Sequence, residues 1–216
     1  MGDRATISAH TRVVHPFLVP ELQLHLITQD CPLWHATPEQ AALAGLQDPF
    51  WAFCWPGGQV LARYLLDHPH NARDRKVLDF GAGSGICALA AALAGAGSCL
   101  AVDTDPTAAV AMGMNAELNG LRIDVVVQDL IGKDSGWDLV LAGDMFYDQT
   151  ITQRVLPWFQ KMADRGALVL VGDPGRGFVP PTALEPVQTY RVPSDVDPAG
   201  IYLVTGTVLR VRSGRG

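Results

Sequence analysis

No two cysteines in this chain form a Cys-x-x-Cys pair. The four stand apart at positions 31, 54, 87 and 99, which leaves no thiolate metal spacing and no redox dithiol to read. Histidine is absent after residue 70, and only His68 and His70 are close together, flanking Pro69. That reads as a turn, and no metal site is expected. Basic residues are in deficit, with 16 Lys and Arg against 22 Asp and Glu and a net charge of −6. The electrostatic footprint of a nucleic-acid partner is therefore missing, whereas a basic protein surface is an allowed partner. There is no internal repeat and no low-complexity tract. Behind Met1-Gly2-Asp3-Arg4 no apolar run follows, so no signal peptide is expected.

One stretch lacks charge altogether. Phe80 to Val102 is just long enough to cross a bilayer. Five glycines interrupt it, however, and alanine rather than leucine dominates. A helix buried between a sheet and its neighbours is the simpler account. Cys87 and Cys99 lie within it, where free cysteine acts as a small hydrophobe. Together these features lead us to expect a soluble, cytoplasmic protein with no membrane partner.

What is present begins with size. At 216 residues, 48% hydrophobic and 18% charged, the chain is one compact domain by length. Its most informative stretch is Val77-Leu78-Asp79-Phe80-Gly81-Ala82-Gly83-Ser84-Gly85-Ile86. A short buried strand runs into a glycine turn and then opens a helix. Gly81, Gly83 and Gly85 let the backbone turn tightly against a small molecule, and the helix presents free N–H groups to it. The dinucleotide fingerprint requires Gly-x-Gly-x-x-Gly. Here the third glycine comes one residue early and Asp79 precedes the first. A carboxylate there repels a pyrophosphate but suits a cationic amino-acid end. S-adenosylmethionine has an ammonium, a sulfonium and no phosphate, and it is the expected cofactor. Asp103, eighteen residues past Gly85 at the end of a second strand, is placed for the ribose hydroxyls. Asp105-Pro106 then caps the next helix. Asp129, after Val125-Val126-Val127, is placed for the adenine amino group.

The coarse pattern is α/β: a Rossmann-like, seven-stranded, mostly parallel sheet with one antiparallel edge strand, plus an N-terminal strand/helix lid. Strands are expected near 76–80, 98–103, 122–127, 137–142 and 167–172, with helices near 85–95, 106–118 and 150–164. Strands near 186–192 and 201–211 lack a long helix between them and should pair at one sheet edge. Residues 21–26 alternate as a half-buried strand. Thr37-Pro38-Glu39-Gln40 is a capping box, and residues 59–66 form a helix leading into the core. This divides the chain into residues 1–70, lid and substrate side, and residues 71–216, the cofactor-binding core.

Two further motifs carry chemistry. In Pro49-Phe50-Trp51-Ala52-Phe53-Cys54-Trp55-Pro56-Gly57-Gly58-Gln59 the paired glycines suggest backbone laid against a ligand, and Trp55 offers an aromatic wall for a sulfonium. Gly143-Asp144-Met145-Phe146-Tyr147-Asp148 follows the strand ending at Ala142, where open α/β sheets bind substrates. Methyltransferases acting on planar amines carry Asn or Asp, two prolines and an aromatic here. This loop has the acid and the aromatics without the prolines, which suits an sp³ amine such as lysine.

These blocks, with Asn115-Ala116-Glu117-Leu118-Asn119 and Gly172-Asp173-Pro174-Gly175-Arg176, occur in an order that resembles the electron transfer flavoprotein β-subunit lysine methyltransferases, of the seven-β-strand class I. The resemblance runs from about residue 15 to the C-terminus and is to a bacterial form. It implies methyl transfer from S-adenosylmethionine to lysines of the flavoprotein β-subunit, and of a ribosomal protein as a further substrate. In such a site Asp144 would capture and orient the ammonium, while Phe146 and Tyr147 exclude solvent. Gly143 would leave room beside the cofactor. The alternative is a small-molecule N-methyltransferase using the same cofactor site.

Overall fold

The computed structural model of the protein describes residues 3–44, 46, 48–194 and 202–214. The chain enters through α1 (Arg4–His10), an antiparallel pair β1 (Arg12–Val14) and β2 (Leu24–Leu26), and α2 (Pro38–Leu43). It continues through α3 (Pro56–Asp67), β3 (Lys76–Phe80), α4 (Ile86–Leu93), β4 (Ser98–Asp103), α5 (Pro106–Leu118) and β5 (Asp124–Val127). Then come β6 (Leu139–Gly143), α6 (Gln149–Asp164), β7 (Leu168–Asp173), β8 (Leu184–Pro193) and β9 (Leu203–Val211). The large sheet has seven strands in the order β5-β4-β3-β6-β7-β9-β8.

Strands β3 to β7 are parallel, and β9 runs antiparallel to both β7 and β8. The expected hairpin-like pair does sit at one sheet edge. Within it the opposed strand is the inner one, because β8 takes the rim and β9 returns between β8 and β7. Ile201, at the start of the expected last strand, lies outside the described residues.

Period-two alternation explains how the sheet is covered. Val77, Leu139, Leu141 and Leu170 join α3 and α4 in one apolar cluster. Their strand neighbours Leu78, Val140, Val169 and Val171 join Trp158 and Phe159 of α6 in another. Helices on both faces let these strands read as unbroken apolar runs. Each such Leu or Val contributes roughly 1.5–3 kcal/mol by leaving water. In α4 every residue from Ile86 to Ala91 is buried, which accounts for the charge-free stretch. No helix among the described residues is long and apolar enough to cross a membrane.

Helix starts follow side-chain chemistry. Asp105 accepts the Thr107 N–H with Pro106 in the first turn of α5, and Asp148 accepts the Ile151 N–H at the start of α6. Thr37 and Gln40 form the reciprocal capping box of α2. Helix α3 starts at Pro56, three residues before the expected Gln59, because proline fits the first helical position.

The N-terminal segment is hydrogen-bonded to the core through α5. His25 N–H donates to Asn115 Oδ1 and Gln23 N–H to Asn119 Oδ1, each at 2.8 Å. Asn119 Nδ2 donates back to the Gln23 carbonyl at 2.7 Å. Two amides four residues apart thus bind the backbone of this segment on the side facing α5, while β1 pairs with β2. Helix α3, although it precedes residue 70, packs on α4, β6 and β7.

Candidate functional site

The strand order reverses direction between β3 and β6, and open α/β sheets bind ligands at that crevice. A cavity of about 740 Å³ lies there, at the carboxyl ends of β3, β4, β5 and β6. Gly81 and Gly83 from the turn after β3, Asp103, Asp129, Gly143, Asp144 and Tyr147 line it, with Trp55 on the N-terminal side. Asp103, Asp129 and Asp144, acids that the sequence singles out at strand ends, therefore line one cavity.

The glycine turn has the backbone that its composition requires. Gly81, Gly83 and Gly85 have φ of 66°, 53° and 81°, a left-handed conformation that costs other residues roughly 1–2 kcal/mol. At Gly81 a Cβ would also overlap the Met145 sulfur. Gly85 sits just off the cavity wall as the N-cap of α4.

Asp103 ties the turn to the next strand. One oxygen accepts the Gly83 N–H at 2.9 Å and the other the Asp105 N–H at 3.0 Å. A carboxylate has about four acceptor positions, so two remain for a ligand's hydroxyls. Asp129 accepts the Ile131 N–H at 2.9 Å and pairs with Arg154 at 3.0 Å at the cavity edge. Asp79 differs: it is 1% exposed and lies beneath the turn rather than on the wall. Its Oδ2 accepts the Ala88 N–H at 2.9 Å, and burial pushes its pKa up to about 7.

At the other end of the cavity, Asp144 takes a φ of 55°, held by its N–H to the Gly172 carbonyl at 2.9 Å. The bend turns the side chain inward, where it is 8% exposed. Arg176 Nη2 donates to Oδ1 at 2.7 Å and the Gly58 N–H to Oδ2 at 3.1 Å. Burial holds the carboxyl above its usual range against the pull of Arg176. Tyr147 stands on the rim, half-exposed, with its phenol pushed up by burial and by Asp148 and Asp103.

Two expectations need correcting. Phe146 does not face the cavity. It is fully buried and meets Phe159 edge-on at 6.4 Å, because the turn at Asp144 sends it into the core under α6. The paired glycines of α3 do not line the cavity either. A Cβ on Gly57 would overlap the Gly172 carbonyl oxygen, and one on Gly143 would fall 2.8 Å from Gly58 Cα. They let the helix end press on the ends of β6 and β7 backbone to backbone, and Asp144 binds there.

Arg176 is the participant that residue-by-residue reading missed. Its guanidinium bridges Asp144 to Trp55, with Cζ 5.6 Å from the ring centroid. Trp55 is braced in turn by its N–H to the Phe50 carbonyl at 2.7 Å. The available signal was an arginine between two glycines after the strand beside Asp144.

With this geometry in place, the family model for ribosomal protein L11 methyltransferase (PrmA) matches residues 31–146. The electron transfer flavoprotein beta subunit lysine methyltransferase of Danio rerio is 48% identical over 162 residues, 74% of this chain and 62% of that protein. The chain belongs to this family of methyltransferases. A homolog from Caenorhabditis elegans is 34% identical over 222 residues, 95% of this chain and 89% of its own length. The chain thus spans less than two thirds of the zebrafish relative and most of the nematode one. Magnesium protoporphyrin IX methyltransferase of Synechocystis, solved with bound S-adenosylmethionine, shares the fold at 17% identity and a TM-score of 0.51, over 72% of this chain and 79% of that one. The two blocks that carry the family resemblance, 55–59 and 143–148, lie 86 residues apart along the chain at Gly58 and Asp144 and meet through that hydrogen bond.

Proposed function

We propose that this protein transfers the methyl group of S-adenosylmethionine to lysine side chains of a protein, the electron transfer flavoprotein β-subunit foremost and a ribosomal protein second. The observation that carries this is the shared cavity, with Asp103 and Asp129 at one end and the acid–aromatic pair Asp144 and Tyr147 at the other. Relatives named for that flavoprotein reaction support the substrate, and the L11 family match supports the second one.

Asp103 accepts the ribose hydroxyls while keeping its bonds to the turn, and Asp129 takes the adenine amino group. Gly81 and Gly83 bring backbone against the amino-acid end, with Gly85 opening the helix behind them and Asp79 acting from beneath. Gly143 brings backbone to the cavity wall, Trp55 closes the N-terminal side, and residues 48–55 serve as the lid there. When bound, the cofactor supplies a methyl on a sulfonium, and the bond pair of that carbon–sulfur bond returns to sulfur. The lysine nitrogen must therefore be in line and unprotonated when it attacks.

Asp144 receives the ammonium and orients it. Lysine's reference pKa is about 10.4, and a carboxylate alone favours the charged form. The proton leaves to water, and the half-exposed Tyr147 shields the nitrogen and steers it through its hydroxyl. Geometry supplies most of the acceleration. The mouth, where Phe50 is 66% and Tyr147 52% exposed, suits a protein segment better than an enclosed small amine. An acidic chain without a basic surplus supports a protein partner rather than nucleic acid. All four cysteines are buried as thiols, which supports a reducing compartment such as the cytoplasm.

Incubation with labelled S-adenosylmethionine and a cell extract tests the reading. Label on lysine of one or a few proteins is expected. Label confined to small amines would contradict it.

A further inference from the structure

We propose that the acceptor lysine reaches the cavity through a neighbouring recess, and that Arg176 closes this passage until the substrate's cation displaces it. This rests on the lysine-transfer reading above. The recess has a volume of about 180 Å³. Pro56 at the start of α3, Pro174 and Gly175 after β7, and Val204 of β9 line it. Trp55 and Arg176 belong to both linings, so the stacked indole and guanidinium are the partition between the two spaces.

The occupant follows from the walls and the far end. Trp55, Pro56, Pro174 and Val204 offer apolar surface suited to a four-carbon stem. Beyond the partition stands Asp144, the buried carboxylate that Arg176 now satisfies. An apolar sleeve ending at a carboxylate fits an extended lysine side chain. Arg176 occupies the place of that lysine's charge.

The gate is built to move at one point. Asp173 Oδ1 accepts the N–H groups of Gly175 at 2.6 Å and Arg176 at 3.3 Å, which anchors the backbone. The flanking glycines have φ of 87° and 85°, and a Cβ on either would meet nothing within 4 Å. The arginine side chain, 29% exposed, thus stands on an anchored backbone with one side open to solvent, the direction in which it would be displaced. Removing Arg176 leaves a buried charge unpaired, which is costly, so a neutral side chain cannot open the passage. An ammonium can, because it restores the pairing as the guanidinium leaves. The freed face of Trp55 then receives the incoming cation and stem.

The test uses the full-length protein loaded with S-adenosylhomocysteine and a lysine-bearing peptide from the flavoprotein β-subunit, with binding followed by calorimetry and turnover followed with S-adenosylmethionine. Val204→Trp, which fills the recess, should weaken peptide binding and raise the acceptor KM at least tenfold. Affinity for S-adenosylhomocysteine should stay within threefold, which also reports that the variant is folded. Arg176→Ala should lower the acceptor KM at least threefold, since the competing cation is gone. A purely structural arginine would raise it. Unchanged peptide binding and KM in Val204→Trp would overturn the route, even with methylation intact in the parent. A raised KM in Arg176→Ala would overturn the gate. A parent protein that binds peptide in a manner sensitive to Val204→Trp, yet methylates no lysine, would sink the function and leave the recess standing as a lysine-binding site.

Discussion

Asp144 Oδ1 and Arg176 Nη2 are 2.7 Å apart at the end of the cavity, with the carboxylate almost fully buried and the guanidinium partly open to solvent. Such a pair is asymmetric. The acid depends on a cation, whereas the arginine could be solvated elsewhere. Burial has the larger influence on Asp144 and the arginine the smaller, so its carboxyl titrates above the usual range.

Asp144→Asn keeps the shape and removes the charge. Turnover of a lysine substrate should fall at least about tenfold, a loss of roughly 1.4 kcal/mol in transition-state stabilisation. Affinity for S-adenosylhomocysteine should change by less than about threefold, because the acid works on the acceptor. Steady-state kinetics beside calorimetry separates the two. Full turnover in the variant would remove Asp144 from the reaction.

Asp103→Ala should weaken S-adenosylhomocysteine binding by about 1.5–3 kcal/mol, the scale of charge-assisted hydrogen bonds. The same carboxylate holds the Gly83 and Asp105 N–H groups, so the turn should also loosen. Calorimetry and amide exchange at Gly83 report on each effect.

Those acids were legible because local rules decide them. An acid at a strand end and a capping Asp105-Pro106 depend on neighbours in sequence, as do the strand and helix periods. Gly57 and Gly58 were misread because their partners, Gly143 and Gly172, stand far along the chain, and a close backbone approach leaves no local mark. Phe146 was misread for a related reason: the left-handed bend at Asp144 decides which loop side chains turn inward. Arg176 stands in a recognisable sequence block, but its pairing with Asp144 depends on β6 and β7 being neighbours in the sheet. The inner position of β9 follows from tertiary pairing, to which strand propensity is blind.

Gly57→Ala tests the backbone contact. The new Cβ would overlap the Gly172 carbonyl and come 2.5 Å from Asp144 Oδ2. Overpacking of this kind costs about 1–3 kcal/mol. A fall in melting temperature of roughly 2–4 °C per kcal/mol is expected by calorimetric scanning. An unchanged melting temperature would mean that α3 can retreat freely from the sheet.

Asp79 makes stability depend on pH. Its folded pKa of about 7 lies above the ordinary carboxylate value of 3.8, so between those values the native state binds more protons than the unfolded chain. The stabilisation from its protonated form is complete below about 4 and is lost as pH rises toward and through about 7. Asp79→Asn should therefore flatten that decline, matching the parent most closely near pH 4 and gaining on it up to pH 8. Melting curves across this range check the sign, and an identical decline in both proteins would place its origin elsewhere.

Protein-lysine methylation is tested most directly on the purified acceptor. Purified electron transfer flavoprotein is incubated with this protein and S-adenosylmethionine, and its β-subunit is analysed by fragment mass spectrometry. Methyl groups are expected on β-subunit lysines, absent without cofactor and strongly reduced with Asp144→Asn. A β-subunit left unmodified, with methyl groups found instead on a small amine, would contradict it.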